Sequence, residues 1–338
     1  MPKRHQRKAP AIRASLRAPQ PAPRTLQWSV CLLAALLWPI VSNAYYVDVA
    51  TSAGLYALLA LGLNVVVGFT GVLHLGFAAF FAIGAYTYAL LNLHLGCPFW
   101  LGLLPAALVA GVCGVILGAP AIRVRGDYLA IVTLGFGEIV RIAFTNLERW
   151  TGGPNGLLGI AHPIIWLPGR GAYDFGVRSA PYYYLVLLAT WLATVVSLRM
   201  SRSRIGRAWA AIREDELAAA CSGIDVVRLK LLAQGCGAVI AGIAGAMFAA
   251  KQGTITPDSF DFVLSVMVLA MVVLGGLGSV GGAVVGALVL GTLPELLRGF
   301  EQFRMLLLGL VMIVMMRVRP QGLMGSVQIR RELIAKHE

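Results

Sequence analysis

Between Trp28 and Met316 the chain is a train of apolar stretches of about 20 residues, each able to cross a hydrocarbon layer roughly 30 Å thick. Lysine and arginine are confined almost wholly to the gaps between them. Such a chain has little choice of fold, because backbone polar groups in lipid must be satisfied within each segment, and helices do this. Charged residues make up only 13% of the 338, about half the share in a soluble domain. The expected fold class is all-α, a polytopic transmembrane helical bundle.

The apolar runs place spans at 28–47, 49–70, 73–95, 99–121, 128–147, 181–198, 229–250, 262–280, 281–297 and 303–318, about ten crossings. The division inside the long run 262–297 falls at the glycine cluster Gly275 to Gly282. The N-terminus, basic and followed by an apolar run, resembles a signal peptide; Pro39 interrupts that run and more spans follow, which favours an uncleaved first helix. A basic tail (1–27), a membrane domain (28–318) with its largest loop at about 199–230, and a second tail (319–338) complete the chain. With the N-terminus inside, 21 of 28 Lys and Arg fall on the cytoplasmic side, which predicts both termini there.

Composition also bounds function. The net charge of +13 alternates with spans instead of forming one patch, so it reads as topology and predicts no nucleic-acid partner. The five cysteines contain no CxxC and mostly lie in apolar runs, so no metal site is expected. No span pairs carboxylates or sets Ser beside His, and no catalytic residues are expected.

Several motifs interrupt the pattern. Gly276-Leu277-Gly278-Ser279-Val280-Gly281 matches GxGxxG, yet both flanks are span-length apolar runs, and the fingerprint has meaning only between strand and helix. Thr151-Gly152-Gly153-Pro154-Asn155-Gly156 lacks the Lys-Ser/Thr of a phosphate loop; its glycines and proline predict a non-helical turn beside the mouth of a pathway, or a plain surface loop. With no phosphate loop in the chain, no cofactor is expected to bind here, and if ATP is used a partner must hydrolyse it. Asn64, Gly68 and Gly71 lie in a second glycine-rich stretch whose spacing loosely echoes Gly275, Gly278 and Gly282. Transporters often form their substrate path from broken helices. Glu138 and Arg141, three apart inside a span, share a helix face and read equally as a gating pair or a structural ion pair. Between Arg199 and Lys230, residues 207–220 predict a short amphipathic helix ending near Gly223, suited to a partner's groove.

At these residues the chain resembles the LivM-type permease subunits of bacterial branched-chain amino acid ABC importers. The resembling stretches are Leu61 to Leu90, Arg123 to Ile160, Ser203 to Leu232, Phe262 to Gly291, and Arg319-Pro320-Gln321-Gly322-Leu323. The resemblance implies an ABC-importer permease in the inner membrane. Its implied partners are a second, LivH-like permease, two cytoplasmic ATPase subunits and a periplasmic substrate-binding protein. Glu216 to Gly223 falls where such importers carry the loop that docks on the ATPase, one residue longer here than usual. Arg213, Glu214, Asp215, Glu216, Ala218, Ala219 and Gly223 are thereby candidate coupling residues. Branched-chain amino acids lead as substrate, with urea or short amides as the alternative. A stand-alone secondary transporter or channel is the competing class; it favours ionisable groups along the path, and Glu138 is the one carboxylate deep in a span.

Overall fold

The computed structural model describes residues 35–122, 127–167, 171–175 and 179–296, with 306, 309–310, 313–314, 317–319 and 322–324. Expectations for the basic tail, the start of the first span, Arg123 with Arg125, most of 303–318 and most of 319–338 lie outside these residues. The chain divides after Val41 into two units. In the first, residues 35–41 are helical; everything below belongs to the second.

Among the described residues, ten helices of six residues or more organise that unit: α1 (Ala44–Leu63, continued as a π-helix over Asn64–Phe69), α2 (Ala78–Leu95), α3 (Phe99–Ile122), α4 (Asp127–Asn146), α5 (Ser179–Arg202), α6 (Arg204–Glu214), α7 (Glu216–Cys221), α8 (Val226–Gln252), α9 (Phe262–Gly275) and α10 (Val280–Leu296). Among the described residues seven helical stretches are long and apolar enough to cross a membrane, and α10 is a shorter apolar helix. The architecture is a polytopic helical bundle.

α8 is its spine. It opens on Asp225, whose carboxylate accepts from Arg228 N at 3.1 Å, and stops at Gly253 in the left-handed region at φ 67°. Side-chain capping and a left-handed glycine are the ordinary start and stop of a helix. At 1.5 Å per residue it measures about 40 Å, and it packs against α1, α2 and α3. The contact is backbone to backbone: a Cβ on Gly237 would stand 2.7 Å from Gly62 O, and one on Gly62 would stand 2.8 Å from Gly237 O. In lipid, where apolar side chains gain little by leaving the solvent, such close approach supplies much of the packing energy.

Three boundaries differ from the sequence reading. The expected break near residue 48 lies instead at Ser42–Asn43, before α1; Asp48 stays helical because its carboxylate meets Lys251 Nζ at 2.9 Å. The expected third span begins at 78 and not at 73, because 71–77 find tertiary partners in place of helical ones. Leu75 N donates to Thr133 Oγ1 (3.0 Å) and Ala78 N to Ser265 Oγ (3.0 Å). The helix expected over 207–220 is two, α6 and α7. Asp215 is extended (φ −154°, ψ 114°), and its carboxylate accepts from Leu217 N and Ala218 N at 2.8 and 3.0 Å, opening a new helix.

The bundle is also not purely helical. β1 (Leu157–Leu158) pairs antiparallel with β4 (Thr254–Ile255), and β2 (Ile164–Leu167) with β3 (Gly171–Asp174). β4 follows directly on the C-terminal end of α8. Open strand edges of this kind require water or protein partners.

Candidate functional site

The candidate residues gather at two ends of α8. At its N-terminal end lies α6, which Ser203 caps by accepting from Gly206 N at 3.2 Å. Trp209, fully buried, donates Nε1–H to Leu229 O at 2.8 Å and stacks on Phe69 with ring centroids 6.1 Å apart. One turn later Arg213 Nη1 donates to Gly68 O at 2.6 Å. Asn64 Oδ1 accepts from Gly278 N at 2.9 Å, while its Nδ2 is buried without a partner. The two glycine runs that echo each other in sequence therefore touch. From a third direction Leu323 N and Met324 N donate to Leu274 O and Gly275 O at 2.8 and 3.0 Å, satisfying carbonyls at the end of α9 that a helix cannot satisfy itself.

Within the loop, Glu216 meets Lys230 Nζ at 2.7 Å. Ala219 is buried in this chain, whereas Glu214, Asp215, Leu217 and Ala218 are exposed. The apolar face of α6 and α7 thus rests on its own bundle, which corrects the expectation that this face enters a partner's groove; the Leu217 face is the exposed one. Gly223, at φ +81°, lets α7 end, with Ile224 N returning to Ala219 O at 3.2 Å.

At the other end of α8, Arg141 bridges two carboxylates. Its Nε lies 2.9 Å from Glu138 Oε2 and its Nη1 3.2 Å from Asp258 Oδ1, with Glu138 and Arg141 each about a third exposed. Asp258 belongs to the 3-10 turn Pro257–Phe260 just after β4, so the bridge ties α4 to that turn. Thr151 closes a one-turn helix (Glu148–Thr151), and Gly153, Pro154 and Asn155 form a 3-10 turn. Part of the expected non-helical turn is therefore helical for single turns, and Gly152, Gly153 and Gly156 all take positive φ. Thr151 Oγ1 donates to Phe144 O or Leu147 O (2.5 and 2.9 Å), fastening the loop to the end of α4. Gly156 leads into β1 against β4.

The pathway candidates thus split. Asn64, Gly68 and Gly71 stand with Arg213; Glu138, Arg141 and Thr151 to Gly156 stand at the far end. Between them runs the non-helical segment from Gly71 to Phe77. It begins beside Arg213 and leads into Ala78, whose N–H donates to Ser265, about 15 Å along α9 from Gly275 at the helical rise. His74 in this segment is buried, and its Nδ1 has no hydrogen-bond partner.

Sequence reasoning missed the cluster of Lys251, Asp48 and Ser52, in which Lys251 Nζ reaches Ser52 Oγ at 2.8 Å and Asp48 at 2.9 Å. Lys251 and Asp48 line a cavity of about 150 Å³ with Thr51, His162, Tyr182 and Gln252. The only signal was a lone acid and a lone base at two span ends, separated by 203 residues.

Comparison with known proteins fits this arrangement. The family described as branched-chain amino acid transport system / permease component matches residues 45–316. A high-affinity branched-chain amino acid transport system permease protein LivM from Salmonella typhimurium is 47% identical over 310 residues, 87% of this chain and 73% of the relative. LivM from Escherichia coli is 46% identical over the same shares. LivH of the same system in Salmonella typhimurium is 25% identical over 83% of this chain and 94% of its own length. No solved structure matches the chain.

Proposed function

The chain belongs to the family of branched-chain amino acid transport system permease components, and from that premise we propose that it is the membrane subunit of an ATP-binding cassette importer for branched-chain amino acids. The observation that carries this reading is the 46–47% identity to two LivM permeases over 87% of the chain. The chain works in a bacterial inner membrane with about ten spans and both termini cytoplasmic. α6 and α7 then face the cytoplasm, where two ATPase subunits dock on the Leu217 side. The Arg141 end faces the periplasm and a substrate-binding protein. ATP and Mg belong to the ATPases.

A second, LivH-like permease completes the path by packing on α4. Only 17% of that span is buried within this chain, against 83% for α1. Its uncovered side carries Gly135, with open space around it, and the partly exposed Glu138 and Arg141. Ionisable groups are costly against lipid. The uncovered side of α3, with Leu101, Leu104, Leu108 and Ile116, suits lipid instead. Glu138, Arg141 and the Thr151–Gly156 turn then border the outer mouth of the path. Asn64, Gly68 and Gly71 border its inner end, and Gly71 to Phe77 is the broken-helix segment between.

The test is reconstitution with the second permease, two ATPases and binding protein. ATP-dependent leucine uptake is expected, with no hydrolysis by the chain alone. Uptake of urea or a short amide in place of leucine reassigns the substrate. Uptake without any ATPase favours a stand-alone transporter and overturns the importer. Reporter fusions after Ser222 and Gly169 check orientation, with cytoplasmic and periplasmic signals expected in that order.

A further inference from the structure

Two helices stop beside one side chain. α1 gives way to its π-turn at Asn64–Phe69, and α9 ends at Gly275. The last carbonyls of a helix have no partners inside it and carry the negative end of its dipole. The guanidinium of Arg213 reaches this place from the last turn of α6. Besides its 2.6 Å bond to Gly68 O, its Nη1 lies 2.8 Å from where a Cβ on Gly278 would stand. Its Cγ lies 3.1 Å from where a Cβ on Gly71 would stand. Gly71 and Gly278 take φ of +74° and +80°, so the cradle needs glycine for conformation and for space. No carboxylate pairs with Arg213 among the described residues. The Gly68 carbonyl at the end of α1, and not an acid, accepts from the guanidinium, with Gly278 of the loop after α9 beside it.

The two ends are also tied to each other, by Asn64 Oδ1 and Gly278 N. The segment Gly71 to Phe77 starts at this knot; Leu75 bonds it to α4 through Thr133, and Ala78, where α2 begins, is bonded to α9 through Ser265. A displacement of α6 is therefore delivered at one point to α1, to the loop after α9 and to the broken segment. Trp209 and Ile212 keep α6 on the bundle by apolar contact, and the Trp209 indole N–H ties it to α8 at Leu229 O. Arg213 supplies the link to the end of α1, a charge-assisted hydrogen bond stronger and more geometrically exacting than apolar contact.

We propose that Arg213 is the positioning residue that turns movement of the α6–α7 arm into joint movement of the cytoplasmic ends of α1 and α9, and so couples ATP hydrolysis to opening of the path. This rests on the reading of the chain as a permease driven by separate ATPases. An arginine that only fastens the fold would affect yield, hydrolysis and uptake in one proportion; a coupling arginine changes the ratio of uptake to hydrolysis.

The experiment measures leucine taken up per ATP hydrolysed in liposomes containing the complete complex, native or with Arg213→Gln or Arg213→Lys. Gln loses the charge, and the ratio should fall about tenfold or more. Lys keeps a cation at the helix ends without the planar fork, and the ratio should fall about threefold. ATPase subunits should still cross-link to a cysteine placed near Glu216 in both variants. A native ratio in Arg213→Gln, whatever its absolute rate, overturns the proposal. If that variant does not assemble, the lysine variant decides alone, a native ratio again overturning it. A native complex without ATP-driven uptake sinks the importer reading itself, which no behaviour of the variants can do.

Discussion

Ala219 and Leu217 stand two positions apart on α7 and meet opposite surroundings, 4% and 67% exposed. A carboxylate at 219 would enter the chain's own core, where an unpaired charge is heavily penalised. Ala219→Glu should lower the thermal midpoint of the purified chain by more than about 5 °C. Leu217→Glu should leave that midpoint within about 2 °C and release the ATPase subunits on co-purification. An unchanged ATPase yield in Leu217→Glu would move the docking face elsewhere. The sequence marked this loop as amphipathic, but periodicity alone does not say whether an apolar face is covered by its own chain or by a partner. Asp215 was equally hard to read: amid good helix formers its carboxylate looks like surface charge, and only its extended backbone shows that it ends one helix and caps the next.

Elements were legible where their cause is local. Spans, and the break at Gly275 to Gly282, follow from apolar length and from glycines at positive φ such as Gly276 and Gly278. The non-helical 71–77 was hidden because its bonds lie far away in sequence: Leu75 meets Thr133, and Ala78 at the start of α2 meets Ser265, separations of 58 and 187 residues. Helix contacts were legible only as a supply of small residues; which glycine meets which backbone needs the fold. Gly237→Val brings a branched side chain to within 2.7 Å of Gly62 O and 2.6 Å of Val66 Cγ2. Overpacking of this kind costs about 1–3 kcal/mol. The variant should insert but unfold at lower temperature, as followed by thermal unfolding in detergent. At the end of α9, Gly322 holds φ +78° with Gly276 Cα only 2.5 Å from where its Cβ would stand. Gly322→Val should release the contact of Leu323 and Met324 with α9, exposing a cysteine placed at 323 to a water-soluble thiol reagent. Protection equal to that in the Gly322 background would show that the contact survives.

For the whole molecule, the uncovered surface divides by chemistry. The outer side of α3 is bulky and apolar throughout, and lipid solvates it without cost. The outer side of α4 mixes Ile131 and Ile139 with Gly135, Glu138 and Arg141. Lipid solvates that mixture poorly, since the ion pair would have to reach water or a protein partner. Small residues there also allow close approach of another helix. A single cysteine at Ile139 should therefore cross-link to the second permease in the assembled complex and resist lipid-soluble thiol reagents. A cysteine at Leu108 should react with those reagents and give no cross-link. The reverse pattern would place the second permease on α3 and remove Glu138 and Arg141 from the path. Equal labelling of both in the complete complex would mean that α4 faces lipid. In that case the Arg141 bridge to Glu138 and Asp258 serves only to hold α4 to the 257–260 turn.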